Sequence, residues 1–244
     1  MSGTVSEIVA LPGGEATVHW RRSTRARRVS LRIDPRDGAV VVTLPPRTSR
    51  PAGMALLMDH AEWVTRRLAA LPGAVVFEDG ASVMLCGVEH RIRHMPARRG
   101  TAWLEAGEIL VAGDAAFLAR RVGDFLRLEA RRLLAVLVME KSGMAGLVAE
   151  KATLAGLRAS RITVKDTRTR WGSCASSRAL AFSWRLAMAP RFVLEYVVAH
   201  EVAHLRHMNH GPHFWALVAT LTPHTQEAMR WLRDEGPRLM RVGP

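Results

Sequence analysis

Alternating apolar and polar residues predict a β-hairpin near the beginning of the chain. Val29, Leu31 and Ile33 are separated by polar residues, which is the period of a strand with one buried face. The stretch 34–38 contains a proline, which presets φ, and a glycine, which accepts positive φ, so it favours a turn. Apolar residues return at every second position over 40–44, and we expect the two runs to pair as antiparallel strands.

One helix and several short strands are expected after this hairpin. Pro45 and Pro46 end the second strand, and Ser49 can cap a helix whose apolar residues form one stripe over 54–68. Residues 1–112 are therefore predicted to form a β-rich N-terminal unit with one helix. Its further strands are predicted at 74–78, 82–86, 88–94, 101–105 and 107–112.

The pattern changes from strand to helix at Gly113. Residues 113–244 are predicted to form a second domain of helices and strands, and the whole chain is assigned to the α+β class. The predicted helices lie at 115–143, from after Pro190 to about Met208, at 214–221 and at 226–240, and the predicted strands at 160–166 and 179–184.

The composition is that of a soluble globular protein. Of 244 residues, 48% are hydrophobic and 23% are charged, which excludes disordered chains, collagen-like repeats and heptad rods. The longest purely apolar run, Leu133–Met139, is far shorter than the roughly 20 residues of a membrane helix, and the N-terminal residues do not resemble a secretory signal. Cys86 and Cys174 form no CxxC motif, so we expect a reduced, cytoplasmic location without membrane association.

Arginine accounts for almost all of the positive charge. With 35 basic and 22 acidic residues the net charge is +13, and only three of the basic residues are lysines. Clustered arginines could bind nucleic acid. The basic residues are dispersed from Arg21 to Arg241, however, and no nucleic-acid-binding motif is present. The sequence therefore favours a solvated basic surface, with at most weak, sequence-independent binding of nucleic acid.

The segment 200–204 contains the most informative chemical motif. His200 and His204 are four residues apart, so on a helix both imidazoles lie on one face and can reach a single zinc ion. Glu201 follows the first histidine and lies beside the metal rather than on it. A carboxylate there can accept a proton from zinc-bound water, which is the general-base role of the HExxH motif. The strongly apolar flanking residues argue against an ordinary solvated helix.

A catalytic zinc site needs a third protein ligand and keeps one position open. Five residues separate His204 from His210, the same gap as before the third ligand of the HExxHxxGxxH pattern. His207 replaces the glycine of that pattern, so the chain must turn differently here. His210 is the preferred third ligand and His213 the second choice. The full set of candidates is His207, His210, His213, His224 and Glu227.

Five short motifs occur in order between Arg170 and Trp215. They are RWGSC, FSWRL, a proline, HEVAH and NHGPHFW. In this order and spacing they closely resemble the YgjP-like metal-dependent hydrolases, a zincin family related in pattern to SprT-like proteases. The resemblance extends upstream to the arginine-rich hairpin around 21–44. It implies a zincin-like C-terminal catalytic domain, in which an active-site helix packs against a small mixed sheet.

The resemblance also implies roles for individual residues. By it, His200, His204 and His210 are the zinc ligands and Glu201 is the catalytic base. It does not identify a substrate.

The RWGSC box admits two interpretations that the sequence leaves open. Its turn could enter a strand beside the active-site helix, so that Arg170 or Arg185 contacts a substrate carbonyl or carboxylate and Trp171 lines the cleft. Alternatively, the box is a structural corner in which Trp171 packs on the helix. Cys174 is expected to be a small buried residue without metal contact.

Two functions of different classes are therefore considered. The first is a zinc-dependent metallopeptidase that hydrolyses a peptide or protein substrate, with Zn²⁺ as cofactor and Glu201 as general base. The alternative is a nucleic-acid-associated SprT-like protease or DNA-binding module in which the basic surface dominates. A scaffold that only holds zinc is a weaker third idea, because Glu201 is intact. The sequence does not determine the oligomeric state.

Overall fold

The described chain consists of two compact units. The computed structural model describes residues 4–148 and 158–243. Over these ranges seven α-helices and three mixed sheets are present, which confirms the predicted α+β class. The units are residues 1–74 and residues 75–244, and each has its own hydrophobic core. None of the described helices is both long and apolar enough to cross a lipid bilayer.

Two hairpins form the sheet of the first unit. Its strands are β1 (Thr4–Leu11), β2 (Gly14–Arg22), β3 (Ser30–Asp34) and β4 (Ala39–Leu44). They lie in the order β1-β2-β4-β3, with antiparallel pairing inside each hairpin and parallel pairing between β2 and β4. The hairpin predicted around 34–38 is confirmed, since Ser30 lies opposite Thr43. The hairpin of β1 and β2 goes beyond the sequence prediction.

The helix predicted after Ser49 is present but divided in two. Its parts are α1 (Arg50–Asp59) and α2 (Ala61–Ala69). The Ser49 side chain caps α1 by accepting a hydrogen bond from the amide of Ala52. Both helices pack on the sheet of the same unit. The core between them contains Val18, Trp20, Val40, Val42, Leu57 and Val64.

The second unit begins with a sheet of the same topology. Its strands are β5 (Ser82–Leu85), β6 (Val88–Met95), β7 (Ala102–Glu105) and β8 (Glu108–Ala112). They lie in the order β5-β6-β8-β7, so this sheet also joins two hairpins through a parallel central pair. The strand predicted at 74–78 is wrong, because within it only Val75 pairs, in a single bridge with Val242.

The sheet of β5 to β8 shares its core with the elements that follow it. Val83 and Ile109 belong to the same buried cluster as Leu126 and Phe182. The division between units therefore falls after residue 74, whereas the sequence predicted domains of 1–112 and 113–244. The change of pattern at Gly113 marks a change of secondary structure inside one compact unit.

The remaining described elements are three strands and five α-helices, and several of them pack on one of these helices. The strands are β9 (Arg161–Lys165), β10 (Gly172–Cys174) and β11 (Ala179–Ser183), and the helices are α3 (Leu118–Val148), α4 (Arg191–His204), α5 (Pro212–Leu221), α6 (Thr225–Asp234) and α7 (Gly236–Met240). The sheet order is β10-β11-β9, and a 3-10 helix over 184–188 follows β11. Helix α4 contacts α3, α5, α6 and β10. This is the arrangement that the zincin-like resemblance implied, a helix against a small mixed sheet.

We predict that Gly53→Ala destabilises the first unit. A Cβ at Gly53 would lie 2.7 Å from Leu44 Cδ2 and 2.8 Å from Trp20 Cζ3, so α1 would have to move away from the sheet. Such overpacking costs about 1–3 kcal/mol of unfolding free energy. Urea denaturation followed by tryptophan fluorescence measures the loss.

The control is Gly143→Ala in α3, where an added Cβ meets no described atom within 4 Å. Alanine is favoured over glycine in a helix by about 1 kcal/mol, so this variant should gain stability. If Gly53→Ala also gained stability, the close approach of α1 to β2 and β4 would be contradicted.

Candidate metal centre

Helix α4 carries the HExxH residues at the end of a buried segment. Its apolar side chains, including Val193 and Val198, are almost completely buried. The rings of His200 and His204 lie one turn apart with their centroids 5.0 Å from each other. Because core packing fixes the rest of α4, the positions of these two histidines are determined by the core.

The loop after α4 brings His210 to the first two histidines. His210 Nε2 lies 3.1 Å from His200 Nε2. One ring nitrogen of His200, His204 and His210 lies within 4.8 Å of the corresponding atoms of the other two. The three residues that the sequence predicted as ligands therefore meet at one point, and an imidazole donor set of this size fits a divalent metal.

The turn after α4 forms without a left-handed residue. The last turn of the helix tightens, because the amides of Leu205 and Arg206 donate to carbonyls three residues earlier. No residue between His204 and Pro212 has a positive φ. The tightened helix end thus allows the chain to turn without the glycine of the HExxHxxGxxH pattern.

Phe214 packs against all three histidine rings. Its side chain is fully buried, and its ring centroid lies 4.9 Å from that of His200, 4.5 Å from His204 and 4.7 Å from His210. Phe214 belongs to the first turn of α5, so the packing of α5 on α4 positions the third histidine relative to the first two. Sequence reasoning missed this role, although the NHGPHFW motif contains the residue.

Hydrogen bonding and burial keep two of the histidines in the form that binds metal. The carbonyl oxygen of His207 accepts a hydrogen bond of 3.0 Å from His204 Nδ1, which leaves the lone pair of His204 on Nε2. Burial lowers the pKa of His200 to about 4, with smaller contributions in the same direction from the neighbouring His204 and His210. Burial also lowers the pKa of His204. Both rings are therefore neutral at neutral pH, as metal coordination requires.

Glu201 is buried beside the histidine cluster. Only 5% of the residue is exposed, and burial raises the pKa of its carboxyl group to about 7, although the charge of Arg170 acts in the opposite direction. A Cβ at Gly172 would lie 2.6 Å from both Cγ and Oε1 of Glu201. Glycine at this position therefore lets β10 approach α4 and cover the carboxyl group.

A cavity of about 200 Å³ lies beside Glu201. The residues that line it are Trp171, Gly172, Tyr196, Val197, His200, Glu201 and Leu232. The RWGSC box thus contributes Trp171 to the cavity, and Arg170 lies close enough for its charge to act on Glu201. Burial raises the pKa of Tyr196, so its hydroxyl group stays protonated. Tyr196 and Leu232 carry no motif of their own, and only the packing of α4 and α6 shows their place.

The structure does not bring Arg185 to this cavity. Its side chain is fully buried, and its guanidinium group pairs with Asp166 and donates a hydrogen bond of 3.2 Å to the carbonyl oxygen of Val242. It also stacks on the ring of Trp184 at 4.5 Å. The predicted substrate contact of Arg185 is therefore not supported, because the ion pair with Asp166 and the surrounding core hold the buried guanidinium group in place.

The other candidate ligands lie outside the cluster of three histidines. The rings of His207 and His213 stack on each other with centroids 6.1 Å apart. Cys174 ends β10, and burial together with the charge of Glu201 raises the pKa of its thiol. Within the described residues, the group that could hold a metal consists of His200, His204 and His210.

Comparison with known proteins identifies the family. The model of the YgjP-like metallopeptidase domain matches residues 27–235, a range that includes the three histidines, Glu201 and the cavity. Neither a search of curated proteins nor a search of solved structures finds a match. Because the matched range covers most of the chain, this protein belongs to the YgjP-like family and contains its metallopeptidase domain.

Proposed function

We propose that this protein is a zinc-dependent metallopeptidase in which His200, His204 and His210 hold the metal. The convergence of three imidazole nitrogens within 4.8 Å, beside a buried carboxyl group, carries this proposal. Three histidines with one open position are a known ligand set of catalytic zinc. Magnesium and calcium prefer oxygen ligands, so the donor set favours zinc over them.

Glu201 is the proposed general base. When bound, the metal supplies a Lewis acid that polarises a carbonyl group and makes water more acidic. Glu201 accepts a proton from the attacking water and delivers it to the leaving amine. A pKa of about 7 suits both steps, because the group can then take up and release a proton near neutral pH.

Residues around the cavity are proposed to bind the substrate. Trp171 and Leu232 offer apolar surface to a side chain of a peptide or protein substrate, and Arg170 offers a positive charge near the reacting carbonyl. The protonated hydroxyl group of Tyr196 is a second hydrogen-bond donor beside Glu201. A cytoplasmic location is also proposed, since both cysteines are free thiols.

His210→Ala should remove or greatly weaken metal binding, while His213→Ala should retain about one zinc per chain. His210 is one of the three converging ligands, whereas His213 stacks on His207 outside the cluster. Metal analysis of the purified variants after dialysis measures the zinc content. Zinc loss in His213→Ala but not in His210→Ala would identify His213, and not His210, as the third ligand.

Glu201→Gln should retain zinc and the fold but lose about 10²–10⁴-fold in hydrolysis, the usual contribution of a general base. Digestion of a peptide library with and without chelator, followed by mass spectrometry, measures the activity. The matched control is Glu195→Gln on the same helix, where the side chain pairs with Arg191 instead of facing the cavity. This control should cleave like the wild type. Full activity of Glu201→Gln with zinc bound would exclude Glu201 as the base.

In the metal-free protein, Glu201→Gln should raise stability at pH 8 and have little effect near pH 4.5. The folded-state pKa of about 7 lies above the usual 4.5, so the stability that Glu201 contributes is complete below pH 4.5 and is lost as the pH rises through 7. The shift corresponds to at most about 3 kcal/mol. Urea denaturation of chelator-treated wild type and variant at several pH values measures the difference. If the difference in unfolding free energy between the wild type and the variant did not change with pH, burial would not raise the pKa of Glu201.

A further inference from the structure

Residues 21–29, called the β2–β3 loop below although they include the last two residues of β2, concentrate positive charge in the first unit. Five of the eight residues from Arg21 to Arg28 are arginines, and all five are exposed. No acidic residue occurs between Glu15 and Asp34. This local density differs from the rest of the chain, over which the basic residues are dispersed.

The loop is anchored by one of its arginines. The guanidinium group of Arg22 donates hydrogen bonds to the carbonyl oxygens of Pro46 and Thr48 at 2.9 and 3.0 Å. The amide of Ser23 donates to the carbonyl oxygen of Leu44 at 3.0 Å. These bonds hold the loop against the segment that leads from β4 to α1, so its position on the sheet is fixed.

The other four arginines are not paired. Within the described residues, no carboxylate lies within ion-pair distance of Arg21, Arg25, Arg27 and Arg28. Many exposed arginines elsewhere do have such partners, as in the pairs Arg93–Glu108, Arg132–Glu129 and Arg191–Glu195. Four neighbouring unpaired guanidinium groups repel one another, and a polyanion would relieve this repulsion.

The surroundings of the loop add to its positive potential. Strands β2 and β4 are parallel, and both end at this edge of the sheet. Arg47 is exposed in the segment that Arg22 holds, and α1 begins three residues further on. The N-terminal end of a helix carries partial positive charge. Ser49 already caps this helix end and Glu7 pairs with Arg50, so an anion at this edge would meet chiefly the arginines of the two segments.

We propose that the β2–β3 loop binds the phosphate backbone of nucleic acid without reading its sequence. The planar guanidinium group matches phosphate in a bidentate manner. Between the arginines are only Ser23, Thr24 and Ala26, and Val29 packs against the core of the unit. The loop therefore presents no aromatic group that could stack on bases and no large apolar group that could enter a bilayer. Phosphate contacts alone give affinities of roughly 10⁻⁴–10⁻⁶ M at physiological salt. This binding site is independent of the proposed peptidase activity.

Fluorescence anisotropy of a labelled 20-nucleotide single strand and of the corresponding duplex tests the proposal on the full chain. The affinity should fall with salt concentration with a logarithmic slope of about −3 to −4, as expected for four phosphate contacts. Arg27→Ala/Arg28→Ala should reduce the magnitude of this slope by about two and weaken binding at low salt on the order of tenfold.

The matched control is Arg66→Ala/Arg67→Ala. These adjacent, exposed arginines lie in the last turn of α2, and the preceding Thr65 donates a hydrogen bond of 3.2 Å to the carbonyl oxygen of Pro12. They therefore lie near the β1–β2 turn, at the edge of the sheet opposite the β2–β3 loop. This variant has the same net charge as Arg27→Ala/Arg28→Ala and should bind like the wild type.

Three results would overturn the proposal. Equal losses in both double variants would show that binding depends only on net charge. No binding by the wild type at low salt would exclude the site. Binding to phosphatidylserine vesicles without binding to nucleic acid would assign the loop to a membrane surface.

Arginine modification gives a readout that needs no variant. Phenylglyoxal labelling of the wild type, analysed by mass spectrometry, should show protection of Arg25, Arg27 and Arg28 by bound oligonucleotide, with Arg66 and Arg67 still reactive. This measurement decides the question even if the loop variant does not fold. Uniform protection of all arginines would overturn the proposal.

Discussion

Three imidazole rings packed on one buried phenyl ring determine the geometry of the candidate metal centre. Helix α4 provides two of the histidines, but the third comes from a loop and depends on Phe214 of α5 for its position. Aromatic rings favour such edge-on and tilted contacts, each worth about 0.5–1.5 kcal/mol beyond the burial of apolar area. Because Phe214 is fully buried, the core of the second unit also holds the three histidines in position.

The same packing controls the carboxyl group of Glu201. Strand β10 approaches α4 so closely that only a hydrogen atom fits at the α-carbon of Gly172, and this approach removes water from Glu201. Removing water from a carboxylate costs free energy, and here the cost appears as a raised pKa. A group that titrates near neutral pH is useful to a hydrolase, although it makes the metal-free fold less stable in alkaline solution. Burial of the proposed general base therefore makes the metal-free fold less stable at and above neutral pH.

The features that the sequence could predict depend on short-range periodicity. The hairpin around residues 34–38, the cap at Ser49 and the common face of His200 and His204 follow from local rules, and the structure contains all three. The burial of Arg185 could not be inferred, because its partner Asp166 lies nineteen residues away and outside the FSWRL motif. The boundary between the units also depends on long-range packing, which a local change of pattern at Gly113 does not report.

The last described residues of the chain contact much earlier residues, so the order of synthesis affects when each unit can fold. Val75 exchanges backbone hydrogen bonds with Arg241 and Gly243, and Arg185 binds the carbonyl oxygen of Val242. Arg185 lies in the 3-10 helix that follows β11. Strand β11 in turn pairs with β10, the strand that covers Glu201. The first unit can bury its core as soon as about seventy residues have left the ribosome, as domains generally do. The second unit, in contrast, gains the contacts of residues 241–243 only after these residues have emerged, so the first unit can complete its core while the second is still incomplete.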